Sequence, residues 1–168
     1  MKKKNFLPLR ISVLIVSDTR TDTTDTSGKI LVERLTKAGH LLAEKCIVPD
    51  DVYQIRSVLS RWIADPAVEI VITSGGTGLT GRDSTPEAAS ALFDKKIEGF
   101  GELFRRVSYE EIASSTIQSR VTAGVANGTY IFCLPGSSGA CRTGWDRIYQ
   151  HNLTYVTVLA TLPNCFQD

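Results

Sequence analysis

Residues 68–93, VEIVITSGGTGLTGRDSTPEAASALF, constrain the fold of this chain more than any other stretch. Val68, Ile70, Val71 and Ile72 make a short β-branched run, as expected of a buried central strand. The run passes into Gly75, Gly76 and Gly78, with Thr77 between them. Such a loop can take positive φ and bring its N–H groups close to a ligand. Thr85, Pro86 and Glu87 then read as a helix N-cap, a proline in the first turn, and an acid near the helix dipole. Asp83 falls between loop and helix, at the mouth of the crevice. Together these features suggest a phosphate- or metal-handling site, with a tight ligand-free connection as the alternative. The loop has no Gly-Lys-Ser/Thr ending and no G-x-G-x-x-G, so neither of the two familiar phosphate motifs applies.

A second junction repeats this logic. Residues 119–126, the pair Asn127-Gly128, and 129–134 (TYIFCL) read as strand, tight turn and strand. The last strand delivers Pro135, Gly136, Ser137, Ser138 and Gly139 into a helix over 140–150. Orphan N–H groups and two small hydroxyls there favour an anionic ligand.

The remaining elements alternate. Residues 10–17 are a strand, and 18–28 a polar loop that is either functional or solvated slack. A helix covers 27–38, with Gly39 as its terminator, and 41–48 form a second strand. A helix with the apolar face Val52, Ile55, Leu59, Trp62 and Ile63 follows Asp50 and Asp51. Asp50 is either the N-cap of that helix or a ligand-facing acid beyond a strand end. In the second case it would share the crevice with Asp83, and two carboxylates there would hold Mg²⁺ against phosphate oxygens. Residues 99–113 read as a helix burying Phe100, Leu103, Phe104 and Val107, with Arg105 and Arg106 solvated. A last helix is expected in 151–168, packing through Tyr155, Val156, Val158, Leu159 and Leu162. The alternation of strand and helix indicates an α/β sandwich with a mainly parallel sheet.

Composition narrows the function classes. A chain of 168 residues with 42% hydrophobic content is long enough for one domain with a real core, expected to span 1–168. A formal net charge of +1, with no basic stripe beyond Lys2-Lys3-Lys4, argues against a nucleic-acid binder. The apolar run 11–16 is too short for a signal peptide, and nothing reaches membrane-spanning length. Cys46, Cys133, Cys141 and Cys165 lack C-x-x-C spacing, so free thiols are expected, with Cys46 and Cys133 buried. With only His40 and His151 available, zinc is disfavoured, and a reduced, cytoplasmic protein is expected.

SGGTG in 74–78, the run from Arg82 to Glu87, and LPGSSGAC in 134–141 closely resemble the MoaB/Mog family of molybdenum cofactor biosynthesis. Ser17-Asp18, the run from Val48 to Asp51, and the run from Gly99 to Glu102 extend the likeness over about residues 8–150. The resemblance implies a three-layer α/β/α sandwich, usually assembled as a homotrimer and in some members a homohexamer. It further implies molybdopterin adenylyltransfer: AMP passes from ATP to the terminal phosphate of molybdopterin, pyrophosphate is released, Mg²⁺ is required, and a separate enzyme inserts molybdate afterwards. Residue by residue, Asp83 and Asp50 match the catalytic, metal-holding acids. Ser74, Gly75, Gly76, Thr77 and Gly78, with Thr85, Pro86 and Glu87, match one substrate loop. Pro135, Gly136, Ser137 and Ser138 match the other, and Ser17 and Asp18 line the same pocket. The segment ACRTGWDRI looks closer to the MoaB branch, some of whose members have lost the acid at the position of Asp50. The alternative is therefore a non-catalytic MoaB-type molybdopterin-binding or partner protein.

Overall fold

The structure is a computed structural model that describes residues 6–153. Among these residues six strands form one sheet: β1 (Arg10–Val16), β2 (Leu41–Val48), β3 (Ile70–Ser74), β4 (Lys95–Lys96), β5 (Thr122–Ala126) and β6 (Thr129–Leu134). Their spatial order is β2-β1-β3-β6-β5-β4. The first four in that order are parallel, whereas β5 and β4 add antiparallel at one edge.

Side chains alternate across the parallel strands, so each strand feeds two cores. Ile11, Val13, Ile15, Ile70, Ile72, Phe132 and Leu134 face α1 (Thr26–Lys37), α4 (Glu98–Ile112) and the C-terminal helix. Leu14, Val16, Val71, Ile131 and Cys133 face α2 (Val52–Ala64) and α3 (Thr85–Ser90) on the other side. Burial on both faces explains why β3 reads as a continuous apolar run. The result is the expected three-layer α/β/α sandwich.

Local chemistry sets the boundaries. Asp25 caps α1 by accepting from the Gly28 N–H, and Gly39 ends that helix at φ +87. Asp51 caps α2, accepting from Tyr53 and Gln54 N–H, so the cap belongs to Asp51 and not to Asp50. Asn127 and Gly128 take φ of 48 and 80, the paired positive values of a tight hairpin turn. The C-terminal helix starts as α5 (Ser138–Thr143), passes through a π-helical stretch at Gly144–Tyr149 and continues to residue 153.

Several expectations need correction. β5 begins at Thr122 and not at 119, because a 3₁₀ turn, Ala113–Gln118, occupies the approach. Leu103 is 38% exposed, lying on the outer face of α4 away from Phe100 and Phe104. Arg105 is half-buried, and its guanidinium donates to the Ser119 carbonyl at 3.3 Å. Thr85 does not cap α3; its hydroxyl donates instead to the Gly75 carbonyl at 2.8 Å. Cys46 is only half-buried because β2 is an edge strand, whereas burial pushes the Cys133 thiol up to about 12. Beyond residue 153 the expected last helix, like Cys165, lies outside the described residues. Among the described residues no helix is long and apolar enough to cross a membrane.

Candidate functional site

The chain leaves β1 for β2 on one side and places β3 on the other, so strand order reverses at β1. A reversal of this kind opens a crevice at the carboxyl ends of the strands. There Ile15, Ser74 and Leu134 sit in register, and three loops leave the sheet side by side.

The β3 loop is packed against its neighbours by its glycines. Gly75 takes φ +111 and donates its N–H to the Leu134 carbonyl at 3.0 Å; a Cβ there would strike the Val16 carbonyl. Gly76 takes φ +67, and a Cβ there would strike the Thr85 hydroxyl and come within 2.7 Å of Asp50 Oδ2. Gly78 lies as close to the Asp83 carboxylate, where a Cβ would be 2.6 Å from Oδ2. The two predicted acids therefore flank one glycine loop, Asp50 behind Gly76 and Asp83 beside Gly78.

Their environments differ. Asp50 is 9% exposed, and its Oδ1 accepts from the Ser84 N–H at 3.0 Å and the Ser84 hydroxyl at 2.5 Å. Its own N–H donates to Asp18 Oδ1 at 3.0 Å. Asp83 Oδ2 accepts from the Thr80 hydroxyl at 2.6 Å and the Thr80 N–H at 2.9 Å. The Thr80 hydroxyl, above all, holds the Asp83 carboxyl below its ordinary value against partial burial.

A cleft of about 570 Å³ runs from these loops toward α4. Ser17, Ser74, Gly75, Gly76, Thr77, Gly78, Asp83, Pro135, Gly136 and Ser137 all line it, as the sequence reading requires. Asp50 does not reach its wall. Asp18 lies outside it too, paired with Arg82 at 2.6 Å, a contact that lowers the Asp18 carboxyl. Thr85 is fully buried beneath the loop. Pro86 and Glu87 border separate hollows, and the Arg120 guanidinium holds the Glu87 carboxyl below its usual range. The Ser138 hydroxyl donates to Thr26 Oγ1 at 3.0 Å.

Sequence reading missed one wall entirely. Asp25, Thr26 and Ser27 bring the N-terminus of α1 to the cleft, where the Ser27 hydroxyl donates to the Gly136 carbonyl at 3.1 Å. Asp25 is buried and paired with Lys45 at 2.8 Å. The only available signal was the polar loop 18–28, which left function and slack equally open. Phe104, Ile112 and Glu111 supply the far wall, with Glu111 accepting from the Thr143 hydroxyl at 2.9 Å. Arg120 was also missed. It donates to the Gly78 carbonyl at 2.7 Å, to the Asp83 carbonyl at 2.8 Å, and to the Glu87 carboxylate.

Charge in the cleft is lopsided. Among the described residues, Asp25, Asp83 and Glu111 line it against one cation, Arg20. Among the described residues no group of three or more acidic, histidine or cysteine side chains is arranged to hold a metal. A Mg²⁺ ion does not need one: it keeps waters and typically takes one or two carboxylates plus substrate phosphates. Asp83 meets that habit at the cleft, whereas Asp50 offers its carboxylate from behind Gly76 and does not line the cleft.

Residues 12–155 match the sequence family described as "Probable molybdopterin binding domain". Molybdenum cofactor biosynthesis protein B of Escherichia coli strain K12 is 52% identical over 143 residues, covering 85% of this chain and 84% of that protein. The chain belongs to the MoaB/Mog family. Solved MoaB/Mog structures agree in fold. The tungsten cofactor synthesizing protein MoaB from Pyrococcus furiosus superposes with a TM-score of 0.82 at 35% identity, covering 92% of this chain and 98% of that one. The molybdopterin biosynthesis Mog protein from Mycobacterium ulcerans gives 0.76 at 31% identity, covering 88% and 99%. This MoaB/Mog chain is accordingly a molybdenum cofactor biosynthesis protein.

Proposed function

We propose that this chain is a molybdopterin adenylyltransferase that moves AMP from ATP to the terminal phosphate of molybdopterin. The observation that carries the reading is the pair of carboxylates that flank one glycine loop, beside a cleft so short of cations that a bound divalent ion would be needed to offset phosphate charge. A terminal phosphate oxygen of molybdopterin attacks the α-phosphorus of ATP. A P–O bond forms there while the bond to the bridging β-oxygen breaks, and pyrophosphate leaves with that electron pair. The nucleophile is already ionised, so no general base is needed.

Both reactants are anionic, and their repulsion is the main obstacle. Asp83, with Asp50 behind the loop, would hold Mg²⁺, which when bound neutralises phosphate charge. The remaining work falls to the chain's own groups. N–H dipoles of the glycine loop and of the α5 start orient the phosphates, and the facing loops hold them in line. The apolar wall at Phe104 and Ile112 is suited to a planar ring. The product would pass to the molybdate-inserting enzyme of the pathway, and a homotrimer or homohexamer is the assembly proposed.

One observation favours a second reading. Asp50 is buried and engaged by Ser84, which suits a structural acid in a protein that binds molybdopterin without transferring AMP. Pyrophosphate release separates the two. The transferase releases it from ATP only with molybdopterin and Mg²⁺ both present, and Asp50→Ala abolishes release. Full activity in Asp83→Asn would overturn the site assignment.

A further inference from the structure

Asp83 stands on an irregular segment between Gly78 and Ser84, with no strand or helix of its own. Its carboxylate bonds go to Thr80, inside the same segment, and its N–H donates to the Thr80 carbonyl at 3.1 Å. These bonds fix the side chain to the loop. They do not fix the loop to the protein, and a group meant to hold a metal needs support within about half an ångström.

Arg82 on Asp18 and Ser84 on Asp50 tie the segment at its later residues, and Arg120 adds a support from outside that reaches both of its ends. Its Nε donates to the Gly78 carbonyl at 2.7 Å and its Nη2 to the Asp83 carbonyl at 2.8 Å, so one guanidinium grips both ends. Its third donor, Nη1, rests on the Glu87 carboxylate of α3, which sets the plane of the fork. The main chain carrying it is itself tied down, since Arg105 donates to the carbonyl of Ser119. Lysine could not reproduce this grip, because its donors radiate from one nitrogen whereas the guanidinium spreads five over a rigid plane.

We propose that Arg120 is a positioning residue for Asp83, clamping the Gly78–Asp83 segment so that the carboxylate stands at the cleft. This rests on the transferase reading, in which Asp83 acts on the phosphates. Arg120 does not line the cleft; it borders a separate hollow, with its guanidinium taken up by the Gly78 and Asp83 carbonyls and by Glu87.

The test compares wild type, Arg120→Ala and Arg120→Lys by steady-state pyrophosphate release and by amide hydrogen exchange. Arg120→Ala should lower kcat about thirtyfold while KM for ATP stays within about twofold, the scale seen when outer support of a metal-holding group is lost. Arg120→Lys should recover part of this, losing about fivefold. Exchange at the Thr80 and Asp83 amides should rise about tenfold in the alanine variant, with β1 and α2 amides unchanged. Wild-type turnover in Arg120→Ala would overturn the proposal. So would lost turnover with undisturbed Thr80 and Asp83 amides, which would put Arg120 in direct contact with substrate. If Arg120→Ala does not fold, the lysine variant decides by the same two readouts. If wild type shows no turnover at all, the transferase reading fails, and the exchange data alone uphold or overturn the clamp.

Discussion

The two loops that face each other across the cleft begin from the same plan and are built differently. The connection from β3 to α3 is long, carries Asp83, backs onto Asp50 and is gripped by Arg120. The connection from β6 to α5 is short and uncharged, with Ser137 capping α5 by accepting from the Ala140 N–H at 3.0 Å and the hydroxyls of Ser27 and Ser74 donating to the Gly136 and Pro135 carbonyls. The first needs outside bracing because irregular backbone that carries charge is costly to hold still. The second is braced by its own helix start and by neutral hydroxyls from α1 and β3. One loop carries charge, and the other carries none.

That contrast can be broken experimentally. Asp83→Asn should cut pyrophosphate release by about a hundredfold or more while leaving the melting temperature nearly unchanged, whereas no uncharged side chain of the β6 loop should matter as much. Gly76→Ala comes next. An alanine at φ +67 costs about 1–2 kcal/mol before the clash with Thr85 and Asp50 is counted, so thermal unfolding should show a fall of about 6 °C or more. Gly136→Ala is the paired control. Its Cβ would sit 3.2 Å from Gly75 Cα with no positive φ to strain, and calorimetry should find a loss of about 1 kcal/mol or less. Ser137→Ala removes the α5 cap and should cost about 1 kcal/mol, a fall of about 2–4 °C.

The smallest effect is with pH. Asp83 and Glu87 are both held below the usual carboxylate range, the first chiefly by the Thr80 hydroxyl and the second chiefly by Arg120. A depressed carboxylate stabilises the fold fully above its unfolded pKa of about 4 and loses that contribution as pH falls through the folded value. Amide spectra between pH 6 and 3 should therefore show residues 76–85 loosening while 136–140, which contain no titratable side chain, hold. Equal response of the two loops would erase the distinction.

Much of this was legible in the residues. The apolar runs at 70–74 and 129–134, and the glycine, proline and serine signals after them, fix which segments are strands and where loops begin, because backbone preference is local. The assignment of Asp50 was not legible. Asp50 and Asp51 are both plausible caps, and only the approach of Ser84, just before α3, ties Asp50 behind the glycine loop and leaves the cap to Asp51. The same holds for Arg120, whose three partners lie 33 to 42 positions away in the chain.

By itself, then, the sequence determined the strand–helix alternation, the two glycine- and serine-rich junctions and the family. Each of these depends on side-chain type and short-range spacing. Tertiary structure alone decided that α1 would supply a wall of the cleft, that Asp50 would stand behind the loop and Asp83 in front of it, and that Arg120 would brace the segment between. Those relations follow from the strand order, which brings loops far apart in the chain to one sheet edge, where distance and not sequence spacing governs which groups meet.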